Sequence, residues 1–167
     1  MGRAWIDEGL RQTPAREQQR QLASEHRRHQ AAVIAAKAPE LMRQLVAEIG
    51  AALDEYRQKA STRADAITFE RLPQDGFSLT KASFPKVSLE CRPDYAAQVL
   101  YGNLSRTDQE AHEIRVRELA FTLQFTVSDG EAEVIALRRE PRVFHHASEA
   151  AQFLLEPVLF PQPDHLL

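Results

Sequence analysis

The clearest structural pattern in the chain is Leu119-Ala-Phe-Thr-Leu-Gln-Phe-Thr-Val127. Large apolar residues occupy its odd positions and small or polar residues its even positions, which is the period of a β-strand with one buried face. Ser128-Asp129-Gly130-Glu131 follows, and the Asp-Gly pair is typical of a tight hairpin. We therefore predict a long strand over about 111–127 and an antiparallel return strand over 132–139.

The upstream part of this strand has the opposite parity, because Ile114 and Val116 stand at even positions. A β-bulge near Arg117-Glu118 would bring both apolar sets to the same core. The alternative is that Ile114 and Val116 face a second contact.

The same period of two extends back to about residue 66. Ile67 and Phe69 alternate with polar residues, and so do later apolar pairs, while Pro73-Gln74-Asp75-Gly76 and Pro93-Asp94 mark turns. A strand over 95–104 follows, and the polar run from Gly102 to Gln109 reads as a loop. The whole region predicts an antiparallel meander of about six strands with one covered face.

The first 65 residues predict helix, with Thr13 as a cap before Pro14 and the end near Ser61-Thr62-Arg63. Pro39 removes a backbone donor, so we expect the helix to be kinked or split near that residue. The segment after it carries the more apolar stripe, formed by Met42, Leu45, Ile49, Leu53 and Tyr56. We expect residues 40–60 to pack on the core and residues 15–37 to be more exposed.

A short C-terminal helix is predicted over 147–157, with Ser148 as its cap. The fold class is therefore α+β, in which the long N-terminal helix and this short helix pack on one face of the sheet. We predict a single domain over 1–167. Its parts are a possible protruding helical arm (1–38), a core helix (39–65), the sheet (66–140) and the C-terminal helix (147–157).

Composition excludes several classes of protein. The chain has 167 residues and a net charge of −3, which disfavours a basic nucleic-acid binder. Cys91 is the single cysteine, so no internal disulfide or cysteine-rich metal site is expected. We find neither a secretory signal nor an apolar run long enough for a membrane span, and we expect a cytoplasmic protein without membrane association.

Candidate metal ligands are few. His26 and His29 lie three residues apart on one helical face, but Arg27 and Arg28 between them would repel a cation, so they are weak candidates. Cys91 shares the apolar phase of its strand, which predicts a buried, inert thiol. Glycine-rich phosphate loops are absent, and we predict neither a cofactor nor a catalytic residue.

Candidate binding residues lie on the sheet. An uncovered face would carry hydroxyl and amide side chains, and arginines near it could grip phosphate or carboxylate. Ion pairs with neighbouring acids are the simpler account of those arginines. The candidate binding residues are Thr122, Gln124, Thr126, Arg115, Arg117 and Arg138.

Two functions from different classes fit these patterns. The first is a non-enzymatic protein-interaction or adaptor module that forms a homo-oligomer, because the thin stripe of the first helix leaves surface that a lone domain would not bury. A different protein is an alternative partner. The second function is a small-ligand-binding protein or an unfamiliar enzyme, with a pocket between residues 40–60 and the sheet. Phe69, Phe77, Phe121, Phe125 and Tyr101 would line it.

Overall fold

A computed structural model describes residues 3–60, 67–110, 112–128, 132–163 and 165–167. It shows an α+β fold with a long helix at the N-terminal side, an antiparallel sheet and a short second helix. The elements are α1 (Ala4–Ala60), β1 (Ile67–Arg71), β2 (Phe77–Lys81), β3 (Lys86–Asp94), β4 (Val99–Glu110), β5 (Glu113–Val127), β6 (Ile135–Arg139), β7 (Arg142–Phe144) and α2 (Ala147–Leu159).

The described residues form seven strands rather than six, in the order β1-β2-β3-β4-β5-β6-β7, and each strand pairs antiparallel with the next. The extra strand is β7, which has only three residues and follows a two-residue turn after β6. The predicted stop of α1 at Ser61-Thr62-Arg63 and the turn residues Asp129-Gly130-Glu131 lie outside the described residues.

The covered face of the sheet carries the odd residues of β5. Leu123 is fully buried and Phe121 and Phe125 are nearly so, whereas Thr122 and Gln124 are exposed on the opposite side. Helix α1 packs against β5 and β6, while α2 packs against β2, β3 and β7 and against α1. The alternation in residues 119–127 therefore predicted correctly which side is buried.

Helix α1 runs unbroken through Pro39, so the predicted split is wrong. One missing backbone donor removes a single hydrogen bond of the helix. The flanking residues Ala38 and Met42 are both fully buried, and their packing holds the two halves in one helix. The predicted start at Thr13 is also wrong, because α1 begins at Ala4 and contains Pro14.

Strand β4 continues to Glu110, so the predicted loop from Gly102 to Gln109 is wrong. Its register with β5 is continuous from Val99↔Gln124 to Glu110↔Glu113, which leaves no room for the predicted bulge at Arg117-Glu118. Ile114 and Val116 consequently remain on the uncovered side and are 68% and 60% exposed.

Gly102 is required by the covered face. A Cβ atom there would lie 2.1 Å from Cζ of Phe121, which is its cross-strand partner in β5. The Phe121 ring therefore lies over the backbone of β4, and only a residue without a side chain leaves it space.

The start of α2 also differs from prediction, since the N-cap is His146 rather than Ser148. The carboxylate of Glu149 accepts hydrogen bonds from the backbone N–H groups of His145 and His146, at 2.8 and 3.3 Å. A carboxylate in the first turn satisfies donors that the helix leaves unpaired.

Candidate functional site

The first candidate surface is the arm, defined as residues 3–32. None of its residues is buried and only four are partly covered, whereas burial in α1 begins at Val33 and Ile34. The helical part, residues 4–32, is about 43 Å long at 1.5 Å per residue. Side-chain contacts three or four residues apart support it, including Arg11 with Glu8 and Arg16 with Gln12.

The arm leaves the body beside the connection between β5 and β6. His29 Nε2 contacts the carboxylate of Glu133, and Lys37 Nζ donates to the Glu133 carbonyl oxygen at 2.6 Å. His26 is exposed on the same helix. Within the described ranges, no three His, Cys, Asp or Glu residues are grouped so as to hold a metal ion.

The second candidate surface is the open face, defined as the side of the sheet that carries the even residues of β5 and their cross-strand partners. Its centre is polar, with Thr122 opposite Tyr101 and Ala120 opposite Asn103. Exposed apolar side chains interrupt this polar surface, and they are Tyr101, Ile114, Val116 and Val143.

A cleft of about 420 Å³ opens where the sheet is incomplete. Strand β4 begins at Val99, opposite Gln124, so residues 125–127 of β5 lack a β4 partner. The turn before β4 approaches this free edge, where the Phe125 N–H donates to the Gln98 carbonyl oxygen at 2.9 Å. Gln30 and Ile34, at the root of the arm, close the other side of the cleft.

Arg138 supplies the positive charge of this cleft. Its Nη2 donates to Oε1 of Gln124 at 2.9 Å, and its Nη1 lies 3.4 Å from a carboxylate oxygen of the exposed Glu140. Its buried Nε has no hydrogen-bond partner within the described part of the chain. A guanidinium with spare donors is suited to a carboxylate or another planar anion.

The structure brings together only some of the predicted binding residues. Gln124, Thr126 and Arg138 all line the cleft. Thr122 lies on the open face, two residues before Gln124 in β5. Arg115, near the far end of the β4–β5 hairpin, pairs with Glu110 and Glu113 at 3.5 and 3.8 Å. Arg115 therefore takes part in two exposed ion pairs of this hairpin.

Arg117 lies on the covered face and joins a structural cluster there. Asp108 accepts contacts at 2.8 Å from both Arg106 and Arg117, and the C-terminal segment covers them, since Arg117 Nη2 donates to the Pro163 carbonyl at 3.0 Å. Burial alone would raise the pKa of Asp108, but the hydrogen bonds and charges of the two arginines outweigh it and lower that pKa. Arg106 is 6% exposed, and its network anchors the chain end.

Sequence reasoning missed Gln30 and Ile34 as part of the cleft. The predicted strand over 95–104 includes Gln98, whereas Gln98 belongs to the turn before β4, with a positive φ of 60°. Periodicity assigns a residue to a face of its own element, but it carries no signal for the place where a helix crosses the end of a sheet.

The aromatic residues expected around a pocket have other positions. Phe77, Phe121 and Phe125 pack in the core, Phe69 is partly buried, and Tyr101 lies on the open face. Cys91 is fully buried as predicted, and burial raises the pKa of its thiol, which keeps it protonated.

No protein-family model, curated protein or solved structure matches this chain. Within the described part of the chain, no helix combines the length and the apolar content that a membrane crossing requires.

Proposed function

We propose that this protein is a non-enzymatic interaction module that self-associates through its arm. The observation that carries the proposal is the exposure of residues 3–32, of which residues 4–32 form about eight helical turns, without one buried residue. A helix in a protein gains most of its stability by packing an apolar face. The single chain leaves the large apolar side chains of Trp5 and Leu10 uncovered, which favours a partner that packs against the arm.

Charge favours a second copy as that partner. The arm carries six arginines and four acids, a net charge of +2, while residues 33–167 carry 15 basic and 20 acidic residues, a net charge of −5. Opposite net charges on two surfaces of the same chain favour encounter between copies. We further propose a cytoplasmic location. Cys91 is a free, buried thiol, and free thiols are compatible with the reducing conditions of the cytoplasm.

Sedimentation velocity of the full chain at micromolar concentrations tests self-association. We expect a dimer that the substitutions Trp5→Glu and Leu10→Glu dissociate, because these side chains are 73% and 67% exposed in the single chain and contribute little to its own stability. Phe84→Glu is the matched control, since Phe84 is also exposed but lies outside the arm. A monomer at all concentrations, or a dimer that both arm substitutions leave intact, contradicts the proposal.

The cleft favours a second candidate function, the binding of a small carboxylate. A volume of about 420 Å³ lies in the range of small-molecule sites, and Arg138 stands among the neutral amides of Gln30, Gln98 and Gln124. Glu140, the ion-pair partner of Arg138 at 3.4 Å, does not line the cleft, so the lining itself carries one cation and no acid and is suited to a monoanion. Ile34 and Val127 offer an apolar wall for the remainder of the ligand.

Isothermal titration with benzoate and acetate tests this second function. We expect saturable binding that Arg138→Met weakens by about 1.5–3 kcal/mol, the usual contribution of hydrogen bonds to a charged group. Arg142→Met is the control, because Arg142 is a neighbouring exposed arginine that does not line this cleft. The proposal is contradicted if neither benzoate nor acetate binds saturably. It is also contradicted if the Arg138→Met variant binds them as tightly as the wild type does.

A further inference from the structure

The exposed large apolar side chains of this protein are concentrated on two surfaces. Of the eleven among the described residues, four belong to the arm, namely Trp5, Ile6, Leu10 and Leu22. Another four belong to the open face, namely Tyr101, Ile114, Val116 and Val143. Single exposed apolar residues are ordinary on a protein surface, but Trp5, Ile6 and Leu10 lie within about 140° of the helix circumference, and this cluster near the tip of the arm favours a contact with the apolar residues of the open face.

Only the root of the arm, at Gln30, comes near the open face of its own chain, where it lines the cleft with Gln124 and Arg138. Helix α1 is continuous from Ala4 to Ala60, and its second half is packed on the covered face against β5 and β6. A continuous helix does not turn back on itself, so the arm extends away from the body. The open face is therefore available to the arm of another copy.

We infer that the arm of one copy lies across the open face of a second copy, and that the second copy returns its own arm in the same way. This inference rests on the proposed self-association and names the two surfaces that make it. Reciprocal exchange gives a closed dimer with two-fold symmetry, in which each copy supplies one arm and one open face.

The dimensions of the two surfaces agree with this arrangement. Seven strands have six spacings of about 4.8 Å, so the sheet is about 29 Å wide, and the arm of about 43 Å crosses all of it. A helix about 10 Å across then covers about 290 Å² of the sheet. One such contact buries about 600 Å² when both partners are counted, and the reciprocal pair buries about 1,200 Å², which exceeds the roughly 1,000 Å² of a stable interface.

Charge is complementary as well. The open face carries four acids (Glu70, Glu90, Asp94 and Glu118) and three basic residues (Lys86, Arg92 and Arg138), a net charge of −1 against the +2 of the arm. Arm-to-arm pairing as a coiled coil is disfavoured by the sequence. Leu10 and Leu22 are 12 residues apart, and the positions between them do not continue an apolar heptad.

A complementation experiment tests the inference with full-length chains. One variant, Leu10→Glu, has a defective arm and an intact open face; the other, Tyr101→Glu with Val116→Glu, has an intact arm and a defective open face. We expect each variant alone to dimerise at least about 10-fold more weakly than the wild type. An equimolar mixture should associate more strongly than either variant alone, because the heterodimer restores one intact contact.

The outcomes separate this inference from the proposed function. If the open-face variant dimerises like the wild type while the arm variant does not, the arm binds elsewhere, which overturns the inference and leaves the proposed function standing. A wild-type chain that stays monomeric overturns both. Unchanged thermal unfolding of each variant shows that the fold is intact, and Phe84→Glu, outside both surfaces, should dimerise normally.

Discussion

Substitution of Gly102 by alanine tests the packing of the covered face. The new Cβ would lie 2.1, 2.4 and 2.5 Å from three ring atoms of Phe121. Carbon atoms in contact are normally at least about 3.5 Å apart, so the ring has to move by more than about 1 Å. Overpacking of this kind costs about 1–3 kcal/mol, while the lost flexibility of glycine in the unfolded chain returns about 0.4–1 kcal/mol. We expect a net loss of about 1–2 kcal/mol.

Urea unfolding followed by circular dichroism measures this loss. Gly50→Ala is the matched control, because its Cβ would lie 3.8 Å from Phe69, an ordinary contact, within the helix α1. We expect it to stabilise the protein by about 0.5–1 kcal/mol. In a Phe121→Leu background the Gly102→Ala change should cost less, since the ring that it meets is gone. Two results together would refute this explanation of the packing. Gly102→Ala would be as stable as the wild type or more stable, and its effect would be the same in the Phe121→Leu background.

Three further predictions concern stability and use the same assay. Asp108→Asn should cost about 1.5–3 kcal/mol at neutral pH, because it leaves the buried Arg106 and the partly exposed Arg117 without their shared carboxylate. Since folding lowers the pKa of Asp108, its stabilisation is complete above the unfolded pKa of about 3.9 and is lost as the pH falls through the lower folded value. The wild type should therefore lose more stability than Asp108→Asn at acid pH, and parallel pH profiles would argue against this ion pair. Leu123→Ala should cost about 2–5 kcal/mol and Thr122→Ala within about 0.5 kcal/mol, so similar losses would contradict the assignment of the two faces. Tyr95→Phe should cost about 1 kcal/mol, because it removes the 2.7 Å hydrogen bond to Asp75, and an unchanged midpoint would dismiss that bond.

Periodicity predicted the fold class and the covered face. The residues from Leu119 to Val127 alternate because one face of β5 packs in the core and the other faces solvent. Leu123 lies on the buried face and Thr122 on the exposed face, as the alternation predicts. The same signal fails at the far end of the β4–β5 hairpin. Ile114 and Val116 alternate there with Glu113 and Arg115, but residues 113–116 are exposed on both sides, so the alternation does not mark a buried face.

We overestimated from the sequence how strongly single proline and glycine residues interrupt helices and strands. Proline and glycine cost helices and strands about 1–3 kcal/mol each, and tertiary packing exceeds this cost where the neighbouring residues are buried. Pro39 lies between the buried residues Ala38 and Met42 in one continuous helix. Gly102 indicated a loop in the sequence, whereas in the fold it makes room for Phe121 in the middle of the sheet.

The candidate sites could be predicted only in part. The sequence predicted Gln124 and Thr126 on one face of the long strand and Arg138 in its return strand, and the register places Gln124 opposite Arg138. The other wall of their cleft comes from α1, about 90 residues earlier in the sequence. Contacts between such distant segments depend on the packing of the whole chain, which periodicity does not encode.

The most direct test of arm-mediated association is the mass of the wild-type chain in solution, measured by sedimentation equilibrium over a wide concentration range. We expect a reversible rise from the chain mass of 18.9 kDa toward twice that value, and Leu10→Glu should shift this rise to a concentration at least about 10-fold higher. A constant mass of 18.9 kDa at every concentration would contradict it.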